Sequence, residues 1–314
     1  LFDLWNSTLQ HWIQNVPKQK SEAKYKEIRD GRLSYMFKLN KANGEIGTTG
    51  ARVLAPNGYM MILPKNFVDT KVFKEKVDQI SRFLIHSGLK KGERISLIFH
   101  NSSEFLILYF AGLSCGLTIV PINPDLAPNE IKYIIEDSNS KCVFYNYTLE
   151  SKVYPIQEEL INIKFMKIKS IKELTPIVDN DVSIEQNEVY LSDVAVIIYT
   201  SGTTGNPKGV ILNHLNLLSD AMSISNWFHF DKNTRCLCIL PLFHNNGQIT
   251  TLLAPLYAGG STVIIKGKIS LYAFWDLVNE YKATWTSVMA SILSILLSLP
   301  KERRDNSLNA ILCG

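Results

Sequence analysis

One segment, residues 199–210, constrains the fold of this chain more than any other. It reads YTSGTTGNPKGV and joins two apolar runs, residues 194–197 and 210–212, that have the character of β-strands. Glycines in such a loop let the backbone turn tightly and approach a ligand closely. Hydroxyl side chains, successive backbone N–H groups and a lysine can together surround an anion. The sequence therefore predicts a phosphate-binding loop formed by Thr200, Ser201, Gly202, Thr203, Thr204, Gly205 and Lys208.

The first alternative for this loop is a Walker-type phosphate loop. That motif requires a glycine, four residues, and then Gly-Lys followed by Ser or Thr. Counting from Gly202, the second glycine would fall on Pro207, and Lys208 is followed by Gly209. A Walker loop also opens onto a helix, whereas residues 210–212 predict a strand. The Walker motif is therefore excluded.

The segment instead resembles the signature loop of the adenylate-forming superfamily, which includes acyl-CoA synthetases, firefly luciferase and the adenylation domains of peptide synthetases. The resemblance covers all of residues 199–210, and the chain looks most like an acyl-CoA synthetase. Further along, residues 240–247 (LPLFHNNG) resemble the next motif of the family, whose histidine lies where the acyl and nucleotide sites meet. This resemblance implies that His244 is catalytic and that His244, Asn245 and Gly314 belong to the acyl pocket.

The resemblance also implies a reaction. In the family a carboxylate attacks the α-phosphorus of ATP, pyrophosphate leaves, and a thiol then displaces AMP to give a thioester. The implied ligands are ATP, magnesium and CoA as co-substrate, with the loop from Thr200 to Lys208 holding the β- and γ-phosphates. No protein ligand for the metal is predicted. A fatty or other apolar acid is expected because residues 287–299 read as a buried apolar helix, although core packing would explain such a helix equally well.

The end of the sequence leaves alternatives open. Residues 312–314 are similar to the start of a glycine turn in the family's acyl pocket, and the family's motifs for adenine, ribose and the catalytic lysine would come later. The chain is therefore expected to be the N-terminal part of an acid–thiol ligase and to be inactive by itself. One alternative is an adenylation module that loads a carrier protein. The other is a truncated, non-catalytic protein that binds a phosphate ligand or a partner.

Composition narrows the classes of protein to which the chain could belong. The 314 residues are 46% hydrophobic and 20% charged, which is typical of soluble globular proteins. A net charge of +4 without a dense Lys/Arg block gives no indication of nucleic-acid binding. The five cysteines include no Cys-x-x-Cys pair, so neither a disulfide framework nor a zinc site is predicted, and Cys236 and Cys238 should be ordinary buried residues. A cytoplasmic location fits these thiols best. The oligomeric state is not predicted.

The uncharged run at residues 105–122 is long enough to raise the question of a membrane span. Gly112, Gly116 and Pro121 interrupt it, however, so the run is predicted to divide into helix, turn and strand. No membrane span is expected.

Helical and strand patterns alternate from about residue 70 onward, which favours an α/β fold with two lobes of largely parallel sheet flanked by helices. The resemblance identifies this as the truncated N-terminal large domain of an adenylate-forming enzyme. The predicted divisions are an atypical segment at 1–66, a first lobe with a bridging segment (146–190) at 67–190, and a second lobe carrying the phosphate loop at 191–314. The small C-terminal domain of the family would be absent. Gly88 is predicted to end a helix, and Asn101 with Glu104 to begin one.

Overall fold

The computed structural model of the chain describes residues 61–63, 66–68, 70–171, 189–200, 205–267, 271–299 and 307–313. The described residues form two compact units. The first is Phe73–Leu217, and the second combines Leu218–Gly314 with the described residues before Phe73. Residues 1–60 of the predicted atypical segment (1–66) therefore lie outside the described residues.

In chain order the described strands are β1 (Met61–Leu63), β2 (Asn66–Val68), β3 (Arg94–Ile98), β4 (Thr118–Ile122), β5 (Ser140–Asn146), β6 (Lys164–Ile168), β7 (Val194–Thr200), β8 (Lys208–Asn213), β9 (Arg235–Cys238), β10 (Ser261–Ile264), β11 (Trp285–Val288) and β12 (Ala310–Cys313). The described α-helices are α1 (Thr70–His86), α2 (Ser103–Ser114), α3 (Pro128–Asp137), α4 (Glu150–Glu159), α5 (His214–Trp227), α6 (Ala254–Tyr257), α7 (Phe274–Tyr281) and α8 (Ala290–Ser298). A π-helix occupies Asn246–Leu253, and short 3-10 turns lie at Tyr147–Leu149 and Leu271–Ala273.

The first sheet has the strand order β6-β5-β3-β4-β7-β8. All neighbouring strands are parallel except β7 and β8, which form an antiparallel pair. Every residue of β4, and every residue of β3 after Arg94, is buried. Burial of both faces is typical of a parallel sheet that is covered by helices on each side. The predicted α/β class is confirmed.

Strands β7 and β8 extend this first sheet rather than the second. Ile119 of β4 pairs in register with Val196 of β7, and Thr118 Oγ1 donates a 3.1 Å hydrogen bond to the Val194 carbonyl. The two compact units meet in the sequence between Leu217 and Leu218. The structure thus differs from the predicted division at residue 190, because the loop strands find their hydrogen-bond partner in β4.

The first part of residues 146–190, the predicted bridging segment, also differs from the prediction. It begins with α4 and β6, and β6 pairs in parallel with β5 at the edge of the first sheet. Residues 172–188 lie outside the described residues.

Of the two helix termini predicted in this unit, one is confirmed and the other is wrong by one residue. Helix α1 ends at His86, and Gly88 follows in the left-handed region at φ +85°, as expected for a glycine after a helix. The predicted cap of α2 is wrong by one residue. Ser102, not Asn101, is the N-cap, and its Oγ accepts a 3.2 Å hydrogen bond from the Phe105 N–H. Ser102 adopts the extended backbone conformation that an N-cap requires.

The second sheet has the order β12-β11-β9-β10-β1-β2, with β1 and β2 as its antiparallel pair. One face carries an apolar cluster that includes Leu237, Val263, Val288 and Phe274. The other face is covered by the π-helix, since Thr262 Oγ1 of β10 donates a 2.6 Å hydrogen bond to the carbonyl of Thr251. Cys236 and Cys238 on this face are buried free thiols, as predicted.

The prediction of a buried apolar helix at residues 287–299 is wrong. The first two of these residues complete β11, and helix α8 buries only Leu296 along its length. Ile295 and Leu297 are 44% and 58% exposed. A run of apolar residues without helical periodicity does not fix which side chains meet the core.

Residues 105–122 divide as predicted into α2, a turn with Gly116 at φ +71°, and β4. No helix in the described part of the chain is long and apolar enough to cross a membrane.

Candidate functional site

The predicted phosphate loop closes an antiparallel hairpin of the first unit. Thr200, the last residue of β7, pairs in register with Lys208, the first residue of β8. Thr200 Oγ1 donates to the Lys208 carbonyl at 3.5 Å, and both residues are exposed. The structure therefore brings these two predicted residues together at the mouth of the loop. Ser201, Gly202, Thr203 and Thr204 lie outside the described residues.

Glycine is required at two positions of this hairpin for different reasons. Gly205 has φ +143°, which L side chains rarely adopt, although no atom lies within 4 Å of a Cβ placed there. Gly209 has an ordinary φ, but a Cβ would lie 2.8 Å from Ile197 Cγ2 and 3.1 Å from Tyr199 Cζ. Gly205 thus serves the backbone turn, and Gly209 makes room for the ring of its cross-strand partner Tyr199.

A contact that sequence reasoning missed ties the hairpin to helix α3. Tyr199 Oη donates a 2.5 Å hydrogen bond to Asp137 Oδ2, and Asp137 is the last residue of α3. Tyr133 Oη donates to the other carboxylate oxygen at 3.4 Å. Burial of the ring, together with the bond to Asp137, raises the pKa of Tyr199 well above its usual value. The hydroxyl therefore stays protonated and remains a donor at physiological pH.

Helix α5 begins at His214, directly after the hairpin. Asn213 Oδ1 accepts a 2.8 Å hydrogen bond from the Asn216 N–H, and Asn216 Oδ1 accepts a 3.0 Å bond from the Asn213 N–H. This reciprocal pair has the geometry of a capping box. His214 between them is buried, and burial lowers its pKa to about 4. Its backbone N–H donates to the Asp193 carbonyl at 3.1 Å, which fixes the helix start against β7.

In the second unit, the motif around His244 forms a turn that leads from β9 into the π-helix. The His244 N–H donates to the Pro241 carbonyl at 3.1 Å, and the His244 carbonyl accepts from the Gln248 N–H at 3.1 Å. A Cβ on Gly247 would lie 2.2 Å from the Pro241 carbonyl oxygen. Only glycine allows this approach of the two chain segments.

His244 and Asn245 are exposed on this turn. The His244 ring lies against that of Phe243, with centroids 4.6 Å apart and planes tilted by 56°. Burial of part of the ring lowers the pKa of His244, so the imidazole is neutral at neutral pH. A neutral ring can both donate and accept a hydrogen bond. Gly314, the third predicted pocket residue, lies outside the described residues.

The π-helix itself was not predicted. Sequence patterns do not separate a π-helix from an α-helix over so short a segment, but π-helical turns are often found at functional sites. Residues 247–253 are all buried, including Gln248 with an exposed fraction of 0%.

Among the described residues, no group of three or more His, Cys, Asp or Glu side chains could hold a metal ion. The Thr200 hydroxyl and the Lys208 ammonium, which face each other across the hairpin, suit phosphate oxygens rather than a cation.

Residues 71–314 match the model of the AMP-binding enzyme family. The chain therefore belongs to this family of adenylate-forming enzymes, and within it resembles the acyl-CoA synthetases.

Two curated proteins are similar to this chain in sequence. Oxalate–CoA ligase of Arabidopsis thaliana is 30% identical over 230 residues, which is 69% of this chain and 44% of the relative. Sulfoacetate–CoA ligase of Cupriavidus necator is 30% identical over 224 residues, with coverages of 70% and 44%. The chain thus spans less than half the length of these two relatives. Both of these relatives are CoA ligases by name.

The fold is shared with solved structures. A putative long-chain-fatty-acid CoA ligase from Rhodopseudomonas palustris gives a TM-score of 0.74 at 22% identity, covering 83% of this chain and 66% of that chain. The anthranilate CoA ligase AuaEII with anthranoyl-AMP gives 0.76 at 21% identity, with coverages of 82% and 52%. At these identities the likeness shows the fold alone.

Proposed function

We propose that the complete gene product activates a carboxylic acid with ATP to an acyl-adenylate and transfers the acyl group to CoA. The observation that carries this proposal is the hairpin mouth, where Thr200 and Lys208 are paired and exposed within the region that matches the AMP-binding family. A donor-rich turn of this kind suits the triphosphate of a nucleotide.

Each described residue has a defined task in this proposal. The Lys208 ammonium places a positive charge beside the β- and γ-phosphates, and the Thr200 hydroxyl donates to a phosphate oxygen. Gly205 gives the turn that presents backbone N–H groups of the loop. Catalysis in such a reaction is mainly positioning and neutralisation of the charge that develops on the leaving pyrophosphate. Magnesium, when bound, would supply further positive charge and share that neutralisation.

His244 and Asn245 are proposed to border the acyl group. A neutral imidazole on an exposed turn can hydrogen-bond a substrate carboxylate without adding a fixed charge. Gly314 is retained in the proposed acyl pocket on the resemblance alone.

The nature of the acid is the least constrained part of the proposal. The prediction of a fatty or other apolar acid relied on a buried helix at residues 287–299, and α8 is largely exposed there. The names of the two curated relatives specify oxalate and sulfoacetate, which are small polar acids. The test must therefore include polar and apolar acids side by side. The cytosol stays the predicted location, since five free thiols suit a reducing compartment.

The experiment is acid-dependent ATP–pyrophosphate exchange by the complete gene product, measured over a panel of acids of graded length and polarity. Exchange with at least one acid, followed by thioester formation when CoA is added, is the expected result. Thioester formation with a carrier protein but not with CoA would show that the acceptor has been assigned wrongly. Absence of exchange with every acid would show that the chain is not part of an adenylating enzyme.

A further inference from the structure

The side-chain amide of Gln248 is completely buried, and neither Oε1 nor Nε2 has a hydrogen-bond partner among the described residues. A glutamine amide can donate two hydrogen bonds and accept two. Leaving a buried polar group unpaired is energetically unfavourable, so buried amides in native proteins bond to protein, water or ligand. The amide of Gln248 is therefore expected to form hydrogen bonds to a water molecule or a ligand.

Ser287 of β11 is a second such group. Its exposed fraction is 0%, and Oγ has no partner in the described part of the chain. Trp285 pairs in register with Cys236, so Ser287, two residues on, lies on the same face of the sheet as Cys238. Cys238 Sγ lies 3.9 Å from the Gly247 carbonyl oxygen. Ser287 thus lies on the face that the π-helix covers.

The two groups also lie towards the same edge of the sheet. Ser287 is the third of the four residues of β11, and the π-helix begins beyond the carboxyl end of β9, with Gln248 as its third residue. In open α/β sheets, ligands bind at the carboxyl ends of the strands. Asn246 Oδ1, on the first residue of the π-helix, is likewise buried without a partner among the described residues. His244 lies two residues before the first residue of the π-helix.

The indole nitrogen of Trp285 lacks a partner as well, but it does not belong to this group. Trp285 is the first residue of β11 and therefore lies at the amino edge, where Phe228 and Phe230 pack on its ring at 5.1 and 4.9 Å.

We propose that Gln248 and Ser287 form a polar subsite that binds a second, uncharged hydrogen-bonding group on the acid, such as a hydroxyl or an amide. The inference rests on the proposed function, because it takes the acid to lie beside His244. Gln248 Nε2 donates to the oxygen of that group, and Oε1 accepts from its hydrogen. Neither Gln248 nor Ser287 carries a charge that would compensate a buried second carboxylate. An alkyl acid would leave the amide unpaired, and sites built to hydrogen-bond a substrate reject analogues that lack the group.

The test uses the complete gene product and three acids of equal length, ending in a methyl, a hydroxyl and a carboxylate. The readout is kcat/KM for ATP–pyrophosphate exchange. Wild type is expected to prefer the hydroxy acid to the alkyl acid by about tenfold or more. Gln248→Met, which keeps length and volume but has no amide, should reduce that ratio to near one by losing activity with the hydroxy acid. Ser287→Ala should reduce the ratio in part, and it carries the test if Gln248→Met fails to fold.

Thr251→Val is the matched control. Thr251 is also completely buried on the π-helix, but its Oγ1 is satisfied by a 3.0 Å hydrogen bond to the Gly247 carbonyl. This change should lower the melting temperature and leave the acid ratio unchanged.

Preference of wild type for the alkyl acid or the diacid would overturn the subsite. So would a ratio that Gln248→Met and Ser287→Ala both leave unchanged, which is the result expected if only water occupies these atoms. In those outcomes exchange is still present, so the proposed function survives. No exchange with any acid would remove the proposed function and the subsite together.

Discussion

Tyr199 and Asp137, 62 residues apart in the sequence, are joined by a 2.5 Å hydrogen bond between the end of β7 and the end of α3. Thr200, the next residue, opens the loop that is proposed to bind phosphate. The orientation of the loop therefore depends on a helix that contributes no residue to the predicted site. Tyr199 is best described as a positioning residue.

Tyr199→Phe keeps the ring that packs over Gly209 and removes the hydrogen bond to Asp137. We expect a loss of about 1 kcal/mol in the free energy of unfolding, and a several-fold rise in KM for ATP with kcat little changed. The measurement is exchange kinetics at varied ATP, together with thermal denaturation. Tyr133→Phe is the matched control, because it removes the weaker 3.4 Å contact to the same carboxylate without touching the hairpin. Equal KM values for both variants would show that the contact does not position the loop.

Gly247→Ala should destabilise the second unit strongly. The new methyl group would meet the Pro241 carbonyl oxygen at 2.2 Å, and backbone cannot move aside as a flexible side chain can. We expect a loss of about 3 kcal/mol or more, measured by urea denaturation. Gly267→Ala is the control, since Gly267 has φ +71° with open space around it and should cost only about 1–2 kcal/mol of backbone strain. A Gly247→Ala protein as stable as Gly267→Ala would contradict the described turn.

Stability should fall with acidity because of His214. Its pKa is about 4 in the fold, below the ordinary value of 6.5, so below pH 6.5 the unfolded chain binds a proton that the folded chain does not. The contribution is complete above pH 6.5 and is lost as the pH falls to about 4, amounting to about 3 kcal/mol. Urea denaturation at pH 7 and pH 5 should show about 2 kcal/mol of this difference.

His214→Gln should flatten this dependence between pH 7 and pH 5, whereas His86→Gln, on the exposed end of α1, should not. A pH dependence that is the same in wild type and His214→Gln would show that folding does not lower the pKa of His214.

The parts of the fold that could be predicted from sequence are those set by local chemistry. Gly88 after α1 marks a helix end through its backbone preference, and the structure confirms it. The apolar run at residues 194–197 is a strand because nothing in it favours a turn. The cap of α2 was missed by one residue because Asn101 and Ser102 are both suitable N-caps, and the backbone geometry chooses between them.

What could not be predicted depends on pairing between distant segments. The placement of β7 beside β4 follows from a ladder of hydrogen bonds that no local pattern encodes, so the loop was expected in the second lobe. The burial of α8 depends on what packs against it, which composition alone does not state. The bond from Tyr199 to Asp137 and the unpaired amide of Gln248 are likewise products of tertiary structure.

The hairpin from Thr200 to Lys208 is proposed to bind the triphosphate of ATP. The most direct measurement is calorimetric binding of ATP and of pyrophosphate to the complete gene product and to Lys208→Ala, at low salt, with the exposed lysine variant Lys232→Ala as control. Lys208→Ala is expected to bind both ligands about tenfold more weakly, a loss of about 1.4 kcal/mol, while Lys232→Ala binds them as wild type does. Unchanged affinity of Lys208→Ala for both ligands would contradict the proposal that this hairpin binds the triphosphate.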